Sequence, residues 1–186
     1  MTGALYKKIN IELDSLNMRG AINSFPDQIE KSFLIIDNWS KKKNYKNIKN
    51  IIILGMGGSA IGGDIARVII QNNCSVPIIV NRSYTIPQWV NPETLVLACS
   101  YSGDTEETLN AFSQCVERNC PILIFSTGGK LMQYGEKNGM DQIQLPTGYQ
   151  PRAALGFSFS LLTLVLNKLG FVDQKMIDDI KNSISS

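Results

Sequence analysis

The chain reads as an α/β protein, a three-layer αβα sandwich around a five-stranded parallel sheet of order 2-1-3-4-5. Three observations predict it. From residue 51 onward, short apolar runs alternate with helical stretches, as parallel βαβ units require. The first run, Ile51-Ile-Ile-Leu54, has no polar face, which suits a strand covered on both sides. Two strand-to-helix turns are built from glycine and hydroxyl residues, Gly55 to Gly63 and Ser100 to Thr105.

Residues 1–48 form a helical extension, and the sheet domain spans 49–186. Leu5, Ile9, Leu13 and Leu16 keep a helical rhythm. Pro26 suits a helix start, with Ile29, Phe33 and Ile36 following on one face. These helices are expected to pack against the sheet edge. A helix-turn-helix DNA reader is the sharper alternative, but it needs a positive face. Ser40-Lys-Lys-Lys-Asn-Tyr-Lys-Asn47 then reads as an exposed connector.

After the first strand, the glycine turn opens a helix through Ile65, Ala66, Val68, Ile69 and Ile70. Val76-Pro-Ile-Ile-Val80 is a short second strand ending in Asn81-Arg82. Thr94 to Cys99 is a third, buried strand, and its helix runs from about Thr105 to Arg118. Pro121 to Phe125 gives the fourth strand, and Ser126-Thr-Gly-Gly129 turns into the next helix. Asp141 to Leu145 alternates in character, as a sheet edge does. Arg152 leads into a helix near Ala153 to Leu169 that is apolar nearly all round. Such a helix must be covered on every side. A partner subunit or second domain is the expected cover, which implies a homodimer; residues 1–48 are the alternative.

Composition excludes several classes. A formal net charge of +2, with Lys41-Lys-Lys43 as the only basic block, argues for neither nucleic acid nor an anionic membrane. Cys74, Cys99, Cys115 and Cys120 have no metal-ligand spacing. No signal peptide is visible, and the apolar run Leu161 to Leu166 is too short to span a bilayer. A cytoplasmic location is expected.

A strand that turns through glycine into a helix leaves the first N–H groups of that helix aimed at the turn. In a sheet of this order, the turns after strands 1 and 3 flank one crevice. Three readings compete for the glycine turn. Gly55-x-Gly57-x-x-Ala60 matches a dinucleotide fingerprint, but Asn81-Arg82 stand where an acidic residue should hold NAD. An NADP reading through Arg82 stays open. A nucleoside-triphosphate loop needs a lysine after its glycines, and none follows. A phosphomonoester held by hydroxyls and backbone N–H groups explains the composition best. Serines that only cap helices are the plain alternative.

Asp104 and Glu107 have capping-box spacing, which favours a structural role over Glu106 or Glu107 as a base. Arg152 has two readings. It could reach the crevice and stabilise negative charge on a substrate or enediolate, or form a salt bridge on the rim.

Three segments carry a resemblance: Gly55-Met-Gly-Gly-Ser-Ala-Ile-Gly-Gly-Asp64, Ser100-Tyr-Ser-Gly-Asp-Thr-Glu-Glu-Thr108 and Pro151-Arg-Ala-Ala-Leu-Gly156. From about Ile51 to Gly170 the chain resembles the sugar isomerase (SIS) domain. More narrowly, it resembles the first half of the bifunctional phosphoglucose/phosphomannose isomerases. The resemblance implies a flavodoxin-like sheet, with Gly58, Ser59, Ser100, Ser102 and Thr105 on the sugar phosphate and Arg152 beside the reacting carbons. It implies interconversion of glucose 6-phosphate or mannose 6-phosphate with fructose 6-phosphate through a cis-enediol, without metal or organic cofactor.

The family often has asparagine where Asp104 stands. Its members carry a second SIS domain with the catalytic base and a ring-opening histidine. This sequence contains no histidine, so it is expected to be a truncated isomerase that keeps the phosphate cradle. A non-catalytic sugar-phosphate sensor is the second reading.

Overall fold

Five strands, β1 (Asn50–Leu54), β2 (Ile78–Asn81), β3 (Thr94–Cys99), β4 (Ile122–Ser126) and β5 (Asp141–Gln144), pair in parallel in the order β2-β1-β3-β4-β5. The structure, a computed structural model, describes residue 14 and residues 17–184. The helix expected through Leu5, Ile9, Leu13 and Leu16 lies outside the described residues. Every residue of β3 and β4 is buried, while the edge strand β5 alternates, as the sequence pattern required.

Side chains leave a strand alternately to its two faces. Ile51, Ile53, Leu95 and Leu97 therefore pack beneath α3 (Gly57–Ile70) and α6 (Leu155–Lys168). Ile52, Leu54, Val96 and Ala98 pack beneath α4 (Glu106–Glu117) and α5 (Gly129–Lys137). The helices after β1 and β3 thus lie on opposite faces, as the strand order predicts.

Residues 18–38 fold into α1 (Met18–Asn23) and α2 (Phe25–Asn38), with Pro26 in the first turn of α2 and Ile29 and Ile36 buried. Here the structure corrects two expectations. The helix α2 packs along α6 rather than against the sheet edge, and α7 (Gln174–Ile184) adds Ile177 and Ile180 beside it. In α6 every residue from Phe159 to Leu166 is buried within this single chain. Its apolar surface is covered from inside by α2, α3 and α7, so α6 gives no ground for a second copy.

The connector is also pinned rather than free. The main-chain N–H groups of Lys42 and Lys43 donate to the two carboxylate oxygens of Asp141 at 2.7 and 2.9 Å. The Tyr45 hydroxyl donates to the same group at 2.7 Å. Asp141 is fully buried at the start of β5, and a buried carboxylate persists only when hydrogen-bonded in this way.

Burial, followed by the Asp141 carboxylate, pushes the Tyr45 phenol well above its ordinary value. An unfolded tyrosine ionises near pH 10. Above that pH the unfolded chain holds fewer protons than the folded one, so stability falls as pH rises. The urea midpoint is expected to lose this contribution above about pH 10, and less steeply in Tyr45→Phe. Equal alkaline slopes for the two proteins would remove the Tyr45–Asp141 contact from the account.

Candidate functional site

The glycine and hydroxyl turns meet because β1 and β3 end level, with Leu54 opposite Ala98. A side chain at Gly55 would stand 3.2 Å from the Cys99 carbonyl oxygen, so the turns are in contact. Neither α3 nor α4 has a side-chain cap. In α3 the N–H groups of Ser59 and Ala60 return to Met56 O at 3.1 and 3.4 Å. In α4 the first bond is Leu109 N–H to Thr105 O at 3.0 Å. The N–H groups ahead of these bonds, on Gly57 and Gly58 and on Glu106 to Thr108, stand at the positive ends of two helices. Two uncapped, hydroxyl-bearing helix ends at one corner of the sheet can hold an anion.

The serine turn is held open by hydrogen bonds of its own. Ser100 is buried; its Oγ accepts the Gly103 N–H at 3.0 Å and lies 2.8 Å from Thr105 Oγ1. Ser102 is exposed, with its Oγ accepting the Asp104 N–H at 3.2 Å, and Thr105 is half-buried at the start of α4. A third turn, Ser126 to Gly129, braces this one from behind. The Thr127 N–H and hydroxyl donate to Tyr101 O at 3.0 and 2.7 Å, and the Leu131 N–H donates to Gly103 O at 3.1 Å. Gly103 has φ +78°, and a Cβ there would overlap the Gly128 carbonyl oxygen. Only glycine fits that position.

Asp104 does not cap its own helix, contrary to the capping-box reading. Its Oδ1 accepts the Lys130 N–H at 3.1 Å, at the start of α5. The charge sits at the positive end of a neighbouring helix, which offsets it.

Arg152 lies in a single 3-10 turn, Pro151–Ala153, that rests on the glycine turn. A Cβ on Gly58 would come 2.7 Å from Pro151 O and 3.3 Å from Arg152 Cα. The missing side chain at Gly58 therefore admits protein backbone, while Gly57, with φ +49° and nothing within 4 Å of a built Cβ, is the open one. Arg152 is exposed and makes no ion pair among the described residues, so the rim salt bridge is not formed. Arg82, the candidate for a 2′-phosphate, is bound to the Asp64 carboxylate on α3. Ser59 is half-buried and borders a cavity of about 10 Å³ with Cys99, Tyr101, Phe157 and Ser158, room for about one water.

Tyr101 escaped the sequence reading. Its hydroxyl donates to Pro146 O at 2.9 Å and accepts the Tyr149 N–H at 3.1 Å, which ties the serine turn to the loop leading to Arg152. Burial pushes its phenol up, so it keeps the proton it donates. The available signal was one aromatic side chain within a run of hydroxyls. Among the described residues no group of His, Cys, Asp or Glu is arranged to hold a metal ion, and no helix is long and apolar enough to cross a membrane.

No protein-family model matches the chain. A bifunctional phosphoglucose/phosphomannose isomerase from Caldicellulosiruptor bescii is 44% identical over 159 residues, covering 86% of this chain and 46% of that protein. The protein of the same name from Aquifex aeolicus is 34% identical over 164 residues, 84% of this chain and 50% of that protein. Among solved structures, the C-terminal domain of glucosamine-fructose-6-phosphate aminotransferase from Francisella tularensis superposes with a TM-score of 0.69 at 18% identity. That match covers 90% of this chain and 54% of the other, and shows the fold alone. The chain spans about half the length of the curated relatives it matches. It has the fold of a SIS domain, and over most of its length it is homologous to about half of the bifunctional phosphoglucose/phosphomannose isomerases.

Proposed function

We propose that the chain binds a sugar phosphate at the paired turns, as the phosphate-holding half of an isomerase that interconverts glucose 6-phosphate or mannose 6-phosphate with fructose 6-phosphate. The observation that carries this reading is the meeting of two uncapped helix ends at one corner of the sheet. The phosphate sits over the start of α4, on the hydroxyls of Ser102 and Thr105 and the N–H groups of the first turn. With the Ser100 hydroxyl donating to Thr105 Oγ1, Thr105 keeps its own proton for a phosphate oxygen. Ser59 closes the cradle from α3, while Gly58 makes room for the turn that carries Arg152.

The sugar then extends toward Arg152. In the reaction a base removes the proton next to the carbonyl, and negative charge builds on the enediolate oxygen before the proton returns to the neighbouring carbon. The Arg152 guanidinium stabilises that charge in this reading. No histidine exists in the sequence to open the sugar ring. In this reading a further unit of similar fold, the other half of a longer protein, supplies the ring-opening group and the base.

Calorimetric titration with fructose 6-phosphate, alongside a turnover assay, tests the proposal. The chain alone is expected to bind without turning over, and Ser102→Ala to weaken binding by about 1–3 kcal/mol, roughly five- to 150-fold in Kd. Unchanged affinity in Ser102→Ala would take Ser102 out of the site. Absence of binding in the parent chain would contradict the proposal. Turnover restored by adding the other half of a relative separates an isomerase from a sensor.

A further inference from the structure

Gln28 is fully buried between α2 and α6. Taking an amide out of water costs free energy unless every polar atom finds a partner. Here they do. Its Nε2 donates to Ala153 O at 2.8 Å and to Ala21 O at 3.0 Å, with Ser24 Oγ at 3.3 Å. Its Oε1 accepts the Gly156 N–H, in the first turn of α6, at 3.0 Å.

The bond to Ala153 O falls on the residue directly after Arg152. One isolated 3-10 turn has little stability of its own, since a single turn fixes several dihedrals for few hydrogen bonds. Its internal support is Gln150 O, which accepts the N–H groups of Ala153 and Ala154 at 2.8 and 3.1 Å. The rest comes from outside: Gly58 abuts Pro151 on one side, and Gln28 grips Ala153 and Gly156 on the other. A leucine of similar size would fill the space without fixing the position of the turn.

We infer that Gln28, on the N-terminal helix α2, is a positioning residue that sets where Arg152 stands over the glycine turn, so that α2 is part of the binding site. The inference rests on the proposed phosphosugar reading for its functional consequence, because Arg152 meets the sugar while the serine turn meets the phosphate. Gln28 touches no ligand and acts through Arg152 alone.

The test uses the full chain with Gln28→Met, Arg152→Ala and the double variant, each titrated with fructose 6-phosphate and with inorganic phosphate. Gln28→Met is expected to lose about tenfold in affinity for fructose 6-phosphate and less than threefold for phosphate. In the Arg152→Ala background it is expected to add no further loss, since coupled residues are not additive. An equal loss for both ligands, or full additivity in the double variant, would overturn the inference.

Amide hydrogen exchange supplies a reading that needs no ligand. Exchange at Ala153, Ala154 and Gly156 is expected to quicken about tenfold in Gln28→Met, with the β1 and β3 amides unchanged. Uniform quickening throughout the chain, or none at the turn, would likewise overturn it. If the parent chain binds neither ligand, the phosphosugar proposal fails and the exchange pattern still decides the role of Gln28 in placing the turn. Should Gln28→Met not fold, Gln28→Glu carries the same titrations and exchange measurements. It keeps the acceptor for Gly156 and removes the amide donor to Ala153.

Discussion

Gly103→Ala is expected to abolish detectable fructose 6-phosphate binding and to lower the melting temperature by roughly 6–12 °C. Two costs combine at this position. The backbone has φ +78°, a left-handed conformation that disfavours a side chain by about 1–2 kcal/mol. The added Cβ would also overlap the carbonyl oxygen of Gly128, and a backbone oxygen cannot rotate aside. Overpacking of this kind costs about 1–3 kcal/mol. Together they put the destabilisation near 3 kcal/mol, shared between the serine turn and the turn that braces it. Relief comes only by moving the two turns apart, which breaks the Leu131 N–H bond to Gly103 O and opens the Ser100 to Thr105 loop. Differential scanning fluorimetry and titration on one sample check both effects. A folded Gly103→Ala protein with unchanged affinity would show that the loop's shape does not matter to the ligand.

The second large effect belongs to Gly58→Val. Its Cβ would meet Pro151 O at 2.7 Å, so the Pro151–Ala153 turn is driven away from α3 and carries Arg152 with it. The expected result is selective. Affinity for fructose 6-phosphate falls tenfold or more, inorganic phosphate loses less than threefold, and stability drops by about 1–3 kcal/mol. The serine turn does not touch the altered side chain, which is why phosphate is spared. Loss of both ligands in equal measure would mean that Gly58 serves the phosphate rather than the arginine turn.

These two glycines show what the sequence could and could not report. The strand order and the position of both turns were legible because each buried parallel strand is a continuous apolar run followed at once by glycine or hydroxyl residues. Local pattern carries that information. The partners of particular side chains were not legible, because they come from far along the chain. Asp104 looked like the cap of its own helix, yet its carboxylate bonds the N–H of Lys130, 26 positions on. Tyr45 looked like part of a solvated connector, yet it closes on Asp141 across 96 positions. The helix α6 looked as though it needed a partner, and α2 was already that partner. In each case periodicity gave the element correctly and left open what it packs against. Gly58 was expected on the sugar phosphate, and the backbone its missing side chain makes room for is that of Pro151.

The measurement that bears most directly on the central claim is a crystal structure of the chain with fructose 6-phosphate. The account predicts the phosphate over the first turn of α4, within hydrogen-bonding distance of Ser102 Oγ and Thr105 Oγ1, with the sugar carbons directed toward Arg152. A phosphate bound away from the two turns, or one whose sugar points away from Arg152 with Ser102 unengaged, would contradict it.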